Sequence, residues 1–156
     1  MSRGPTWPLV AGLGPMGALP TVPRLARSFT VVVLGGWGLA SLAEDAELIA
    51  SDLCSNVVRA ASGPDGRPRY EDDGRLPLLW LRLLSDGTAL QIEAWDTVAT
   101  EAGVPTPRRA AADDESGRGL ELVSALSVDW GWDHLPGNDR PGSAAKRVWA
   151  LLKGSR

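Results

Sequence analysis

Asp52 and Asn56 are two polar residues that accompany an apolar stripe in the segment ELIASDLCSNVV. On a helix, residues four positions apart project toward the same side. An amide oxygen can complete the octahedral shell of Mg²⁺ when phosphate and water supply the other ligands, and a nearby carboxylate can orient or deprotonate a nucleophile. The alternative is a polar helix edge that only meets solvent, and the spacing alone leaves both interpretations open.

Two further features are suited to a nucleotide. Gly117 and Gly119, in ESGRGLELV, stand at the end of a long loop and the start of a helical pattern, where backbone N–H groups and the helix dipole favour phosphate. Asp96, in EAWDT, follows a strand pattern, and its carboxylate can accept a hydrogen bond from an exocyclic amine such as that of adenine. A tight turn and an ordinary strand end are the respective alternatives.

Three other features are interpreted as structural, with no role in catalysis or ligand binding. His134 is the only histidine and Cys54 the only cysteine, so a catalytic triad or a metal site would lack its usual members, and both residues are predicted to be structural. The segment GLGPMG at 12–17 matches the dinucleotide fingerprint G-x-G-x-x-G, but Pro15 and Pro20 disfavour the helix that this fingerprint requires. We interpret the segment as an ordinary turn.

The helices that carry these residues are predicted from apolar periodicity. A first helix begins near Thr21 and ends at the glycines 35–36, with Leu25, Phe29 and Val32 at helical spacing. A second helix covers about residues 42–61 and contains the pair at 52 and 56. A third, shorter helical pattern follows the glycines at 117–119.

The strands are predicted from alternation and from turn residues. Strands at 78–84 and 89–95 flank Asp86 and Gly87, a dipeptide typical of tight hairpin turns. Two further strand candidates lie within 126–135 and 145–153. Residues 97–116 lose all periodicity, which is typical of a functional loop or a disordered one. This order predicts a mostly antiparallel sheet with helices on one face.

Composition restricts the class of protein. The chain has 156 residues, enough for one domain, and its 16 basic residues are scattered in a sequence of net charge −3, which argues against nucleic acid or an anionic membrane as partner. A single cysteine favours a reducing compartment. No segment has the length of a membrane span and no secretory leader is evident, so we expect a cytoplasmic location.

The order of these motifs carries a family resemblance. DLCSNVV on a helix is followed by a hairpin, WDT, a long loop, ESGRGLELV and the closing AKRVWALL. This order resembles the ATPase superfamily of gyrase, histidine kinases and MutL (GHKL, the Bergerat fold), and more narrowly the small anti-sigma-factor serine kinases of bacteria. The resemblance covers residues 18–152. It implies an α/β two-layer sandwich at 18–153, with 1–17 as an N-terminal extension or first strand.

The resemblance also implies roles for individual residues. Asn56 matches the asparagine that binds Mg²⁺, Asp52 the position of the catalytic base, and Asp96 the aspartate that recognises adenine. Residues 97–116 correspond to the ATP lid. Lys146 lies where relatives carry a lysine at the start of the last strand, and we assign it no chemistry. The nucleotide-binding residues implied in this way are Asn56, Asp96, Gly117, Arg118, Gly119 and Leu120.

The sequence departs from the family pattern at two places. The first glycine box is normally D-x-G-x-G, but this chain reads DTVAT and lacks both glycines that allow close backbone approach to a nucleotide. Aspartate replaces the usual glutamate at position 52, which shortens the reach of the base by one methylene. A shift of about 1 Å in a catalytic group can lower a rate on the order of 10²-fold.

The resemblance therefore predicts a regulatory protein that binds ATP and Mg²⁺. The expected reaction is phosphorylation of a serine on an anti-anti-sigma partner of the STAS class, with a sigma factor as a further partner. The alternative is a degenerate relative that binds ATP and sequesters its partner without phosphorylating it. The protein is either a monomer or a homodimer. A sensor histidine kinase is disfavoured because His134, the only histidine, follows the motifs that the resemblance assigns to ATP binding.

Overall fold

The fold consists of one antiparallel sheet with helices on one side. The structure is a computed structural model that describes residues 6–98, 117–134, 144 and 146–154, with no side-chain description at 117–119. In chain order the elements are β1 (Leu9–Gly17), α1 (Val22–Gly36), a short 3₁₀ turn (Ala40–Leu42), α2 (Ala43–Ala60), β2 (Leu78–Ser85), β3 (Ala89–Asp96), α3 (Gly117–Leu126), β4 (Asp129–His134) and β5 (Lys146–Lys153).

The five strands pair in the order β1-β2-β3-β5-β4, and every pair is antiparallel. The hairpin between β2 and β3 turns at the predicted dipeptide, where Asp86 Oδ1 accepts hydrogen bonds from the backbone N–H groups of Thr88 and Ala89. Gly87 has a φ of +100°, which explains the glycine there. The predicted α/β class with a mostly antiparallel sheet is confirmed.

The core lies between one face of the sheet and the helices. Alternate residues of β2 and β3 face the helices because side chains alternate across a strand; Leu81 pairs with Ala94 and Leu83 with Ile92, and all four are fully buried. They form one apolar cluster with Ile49 and other residues of α1 and α2. The helices therefore cover one face of the sheet, as predicted.

The apolar stripe of α1 differs from the prediction. Leu25 and Val32 are 51% and 74% exposed, whereas the buried side of the helix is formed by residues at a spacing of four: Val22, Ala26, Thr30 and Leu34. The sequence places valines at 31, 32 and 33, so apolar residues occur on several sides of this helix. For this reason the spacing alone predicted the wrong side to be buried. Thr30 is accommodated inside because its Oγ1 donates to the Ala26 carbonyl at 2.7 Å.

The prediction of a turn at GLGPMG was also wrong. The segment lies in β1, which pairs with β2 and has an irregular register between Leu13 and Met16. Gly14 has a φ of +126°, and a Cβ there would lie 2.9 Å from the carbonyl oxygen of Leu79. Proline is tolerated on an edge strand at such an irregularity because it interrupts the ladder where the pairing is already broken.

Candidate functional site

The polar pair on α2 lies at the edge of the buried stripe. Asp52 and Asn56 are both half-buried, next to the core residues Leu53 and Val57. Asn56 Oδ1 accepts a hydrogen bond of 2.6 Å from Nη2 of Arg59. The amide oxygen that the resemblance assigns to Mg²⁺ is thus in contact with an exposed guanidinium group.

Burial raises the pKa of Asp52, and the positive charges of Arg27 on α1 and Arg59 on α2 oppose this effect. The carboxyl group is consequently a stronger proton acceptor than a solvent-exposed aspartate, which suits a general base. Cys54, one position beyond the neighbouring Leu53, has no such role. It is a buried free thiol, and burial raises its pKa to about 12, so it remains protonated.

Asp96 is the most buried carboxylate of the site. It ends β3, its side chain is 0% exposed, and its Oδ1 accepts a 2.9 Å hydrogen bond from the backbone N–H of Val98. Its Oδ2 has no hydrogen-bond partner in the described part of the chain. Burial raises the pKa of Asp96, and the charge of Lys146 is the main opposing effect. A buried carboxylate oxygen without a hydrogen bond is costly unless a nearby positive charge or a ligand compensates it.

Lys146 is the residue that the sequence analysis left without a role. Its Nζ lies 3.5 Å from Asp96 Oδ2, and its side chain is 14% exposed. The register of the sheet explains this contact, since Asp96 on β3 lies opposite Lys146 on β5, which in turn lies opposite His134 on β4. His134 Nε2 is the second buried side-chain atom without a hydrogen-bond partner among the described residues. The two atoms that lack a hydrogen bond therefore belong to the residues on either side of Lys146 in one row across the sheet.

The glycines at 117 and 119 lie in the first turn of α3. The helix begins at Gly117 instead of after Gly119, so the glycine backbone itself is helical, and Leu120 is half-buried. The side chain of Arg118 lies outside the described residues, as does the predicted ATP lid beyond Val98, at 99–116. Within the described chain α3 packs against α2, and α2 packs against β3, so both helices of the predicted site cover the same face of the sheet.

The opposite face of the sheet carries a buried charge network that the sequence analysis missed. Glu93 is 2% exposed and accepts hydrogen bonds from Trp95 Nε1 at 3.0 Å and from Arg147 Nη1 at 2.8 Å. Arg147 also binds both carboxylate oxygens of Asp133, at 3.0 and 2.7 Å. Arg82 lies 3.8 Å from Glu93, so the network connects β2, β3, β5 and β4. Every charge in it has a partner, which indicates a structural role.

Comparison with known families gives a match that agrees with this arrangement. The histidine kinase-like ATPase domain matches residues 17–140, most of the chain. The chain belongs to this family. The histidine kinase-like ATPase domain described here consequently binds ATP, and the unpartnered Asp96 Oδ2 is an observation of this structure that fits such a ligand. Comparison with curated proteins finds no match.

The described helices of this ATPase domain include none that is long and apolar enough to cross a membrane. Its described residues also contain no group of three or more His, Cys, Asp or Glu side chains that could hold a metal ion. The oxygen atoms of a nucleotide phosphate and of water are suitable ligands of Mg²⁺.

Proposed function

We propose that this ATPase domain is a regulatory protein kinase of the anti-sigma-factor type. It binds ATP with Mg²⁺ and transfers the γ-phosphoryl group to a serine of an anti-anti-sigma partner of the STAS class. The observation that supports the nucleotide-binding part of the proposal is the buried carboxylate of Asp96, which ends β3 and whose Oδ2 has an ion-pair contact with Lys146 but no hydrogen bond among the described residues. The N6 amino group of adenine is a donor of the required kind.

The proposed reaction uses the polar edge of α2. The oxygen of the partner's serine forms a bond to the γ-phosphorus, the bond from that phosphorus to the bridging oxygen breaks, and ADP leaves. The serine proton passes to the carboxylate of Asp52, whose raised pKa favours its acceptance. Asn56 is the residue that would hold Mg²⁺, which would supply charge neutralisation at the phosphates when bound.

Arg59 has to leave Asn56 for this metal contact to form. In the structure its Nη2 donates a hydrogen bond of 2.6 Å to the Asn56 oxygen, and the side chain of Arg59 is exposed. A nucleotide phosphate is a stronger partner for a guanidinium group than a neutral amide is, because both partners are then charged. We infer that phosphate binding and metal binding at Asn56 occur together.

A second function is favoured by the short side chain at position 52. If aspartate does not reach the serine hydroxyl, the domain binds ATP and sequesters its partner without phosphorylating it. The two functions differ in one observable, the transfer of phosphate, whereas both include ATP binding and partner binding.

The experiment incubates the protein with ATP labelled at the γ-phosphate and a STAS-class partner. We expect label on a partner serine, a higher rate for Asp52→Glu because the longer side chain restores the reach, and no transfer by Asp52→Asn at nearly unchanged ATP affinity. Calorimetry with ATP measures that affinity in all three proteins. If all three bind ATP and none labels any candidate partner, the kinase proposal fails and partner sequestration becomes the better account.

A further inference from the structure

The ion pair between Lys146 and Asp96 places a hydrogen-bond donor beside a hydrogen-bond acceptor on the helix-facing side of the sheet. The two residues lie directly opposite each other on β5 and β3, and Nζ is 3.5 Å from Oδ2. Both side chains are largely withdrawn from water, at 14% and 0% exposure. The register of two strands holds this pair in place, so it is present before any ligand arrives.

Both partners keep capacity for a ligand. Asp96 Oδ2 receives no hydrogen bond among the described residues, although the ammonium group is near it. An ammonium group carries three N–H donors, and at most one of them can point at Oδ2. Apart from Asp96, no described residue accepts a hydrogen bond from the Lys146 ammonium group or forms an ion pair with it. The pair therefore offers one acceptor and at least one donor side by side.

We propose that Lys146 is a specificity-determining residue that donates a hydrogen bond to N1 of adenine while Asp96 accepts one from the N6 amino group. The inference rests on the proposed binding of ATP at this site. On the edge of adenine, the amino group and N1 are neighbours and form a donor and an acceptor side by side. The ion pair presents an acceptor, Asp96, beside a donor, Lys146, so each group on this edge of adenine faces a complementary partner.

The same pair disfavours guanine in the same orientation. Guanine presents a carbonyl oxygen where adenine has its amino group and an N–H group where adenine has N1. Oxygen would then face the Asp96 carboxylate and a donor would face the Lys146 ammonium, so both contacts would be repulsive. A purely structural role for Lys146, the neutralisation of Asp96, would not depend on N1.

The experiment measures binding of ADP and of 1-deaza-ADP, in which a C–H group replaces N1, by calorimetry in Mg²⁺. The proteins are the wild type, Lys146→Met and, as a matched control, Lys153→Met at the exposed end of the same strand. Using ADP avoids turnover, and changing the ligand tests the contact in the wild type even if a variant does not fold.

We expect the wild type and Lys153→Met to bind ADP about tenfold or more tightly than 1-deaza-ADP, the size typical of a hydrogen bond to a charged group. Lys146→Met should bind the two ligands equally. Equal binding by the wild type, or a preference for ADP that persists in Lys146→Met, would overturn the inference while leaving ATP binding intact. A wild type that binds neither ligand would instead refute the proposed function together with the inference.

Discussion

At the scale of single residues, Asp52 combines a short side chain with an increased affinity for protons. The loss of one methylene relative to glutamate moves the carboxylate away from a bound partner. Burial raises its pKa even though Arg27 and Arg59 contribute positive charge nearby. A raised pKa makes the group a better proton acceptor, so in the proposed role of Asp52 as base, basicity would offset part of what the shorter side chain loses in reach.

This raised pKa predicts how Asp52 affects stability as the pH changes. The folded state holds the proton more tightly than the unfolded state, so the contribution of Asp52 to stability is largest at low pH. It decreases as the pH rises from the ordinary value of 3.8 through the raised value. Relative to the wild type, Asp52→Asn should gain stability across that window and keep the gain at neutral pH.

Urea denaturation at a series of pH values measures this difference. Glu121, an exposed residue of α3, provides a control, since Glu121→Gln should follow the wild type much more closely. If the stability of Asp52→Asn minus that of the wild type decreased as the pH rises, the raised pKa would be contradicted.

At the scale of elements, substitutions in α1 can test which of its apolar sides is buried in the core. Leu34 is fully buried in the core cluster, whereas Val32, two positions earlier, is 74% exposed. Leu34→Ala should lower the free energy of unfolding by about 2–5 kcal/mol, because it removes buried methyl groups and leaves a cavity. Val32→Ala should change it by less than about 0.5 kcal/mol.

The midpoints of urea denaturation at equal slope provide the measurement for this pair of variants. Val32→Ala can even stabilise the protein slightly, because alanine is the better helix former. A loss in Val32→Ala as large as that in Leu34→Ala would mean that the exposed side of α1 is buried in solution.

The elements that the sequence predicted well are those whose signal is local. The bounds of α2 and of the β2–β3 hairpin were found to within about two residues, because a regular apolar period and the Asp86–Gly87 turn are contained in short windows. The segment at 12–17 was interpreted as a turn, although a first strand within 1–17 was one of the two alternatives for that region, because glycine and proline usually mark turns and here occur at an irregularity of an edge strand.

Part of the candidate site depends on contacts that no local pattern contains. Asp96 was identified by its place after a strand and by the family resemblance, but its contact with Lys146, 50 residues later in the sequence, follows only from the pairing of β5 beside β3. The same pairing creates the contact of Glu93 with Arg147. Register between distant strands is therefore what the sequence analysis could not supply.

At the scale of the whole molecule, the charge network on the far face of the sheet connects four of its five strands. Arg82, Glu93, Arg147 and Asp133 come from β2, β3, β5 and β4 in the order in which these strands lie. The guanidinium groups of Arg82 and Arg147 also lie 5.7 and 5.5 Å from the ring centre of Trp95. The network thus favours one register of β5 between its two neighbours.

Removal of its central carboxylate should have a large effect. Glu93→Ala leaves Arg147 half-buried with one partner fewer, and breaking a buried pair in this way lowers stability by about 3–5 kcal/mol. A double-mutant cycle by urea denaturation, with Glu93→Ala and Arg147→Ala alone and together, should give a coupling energy above about 1 kcal/mol. Asp133→Ala, which removes a more exposed carboxylate, serves as the milder comparison. Strict additivity of the two single changes would exclude the proposed coupling.

The position of β5 also bears on the time course of synthesis. It is the last strand in the sequence, yet it lies inside the sheet between β3 and β4. A growing chain emerges from its N-terminus, so β1, β2 and β3 can pair while β4 still lacks its neighbour. Until Lys146–Lys153 arrive, two strand edges stay open to pairing with other chains. During that interval Asp96 lies on one of those edges without Lys146, so the adenine recognition that we propose for this pair would require the completed sheet.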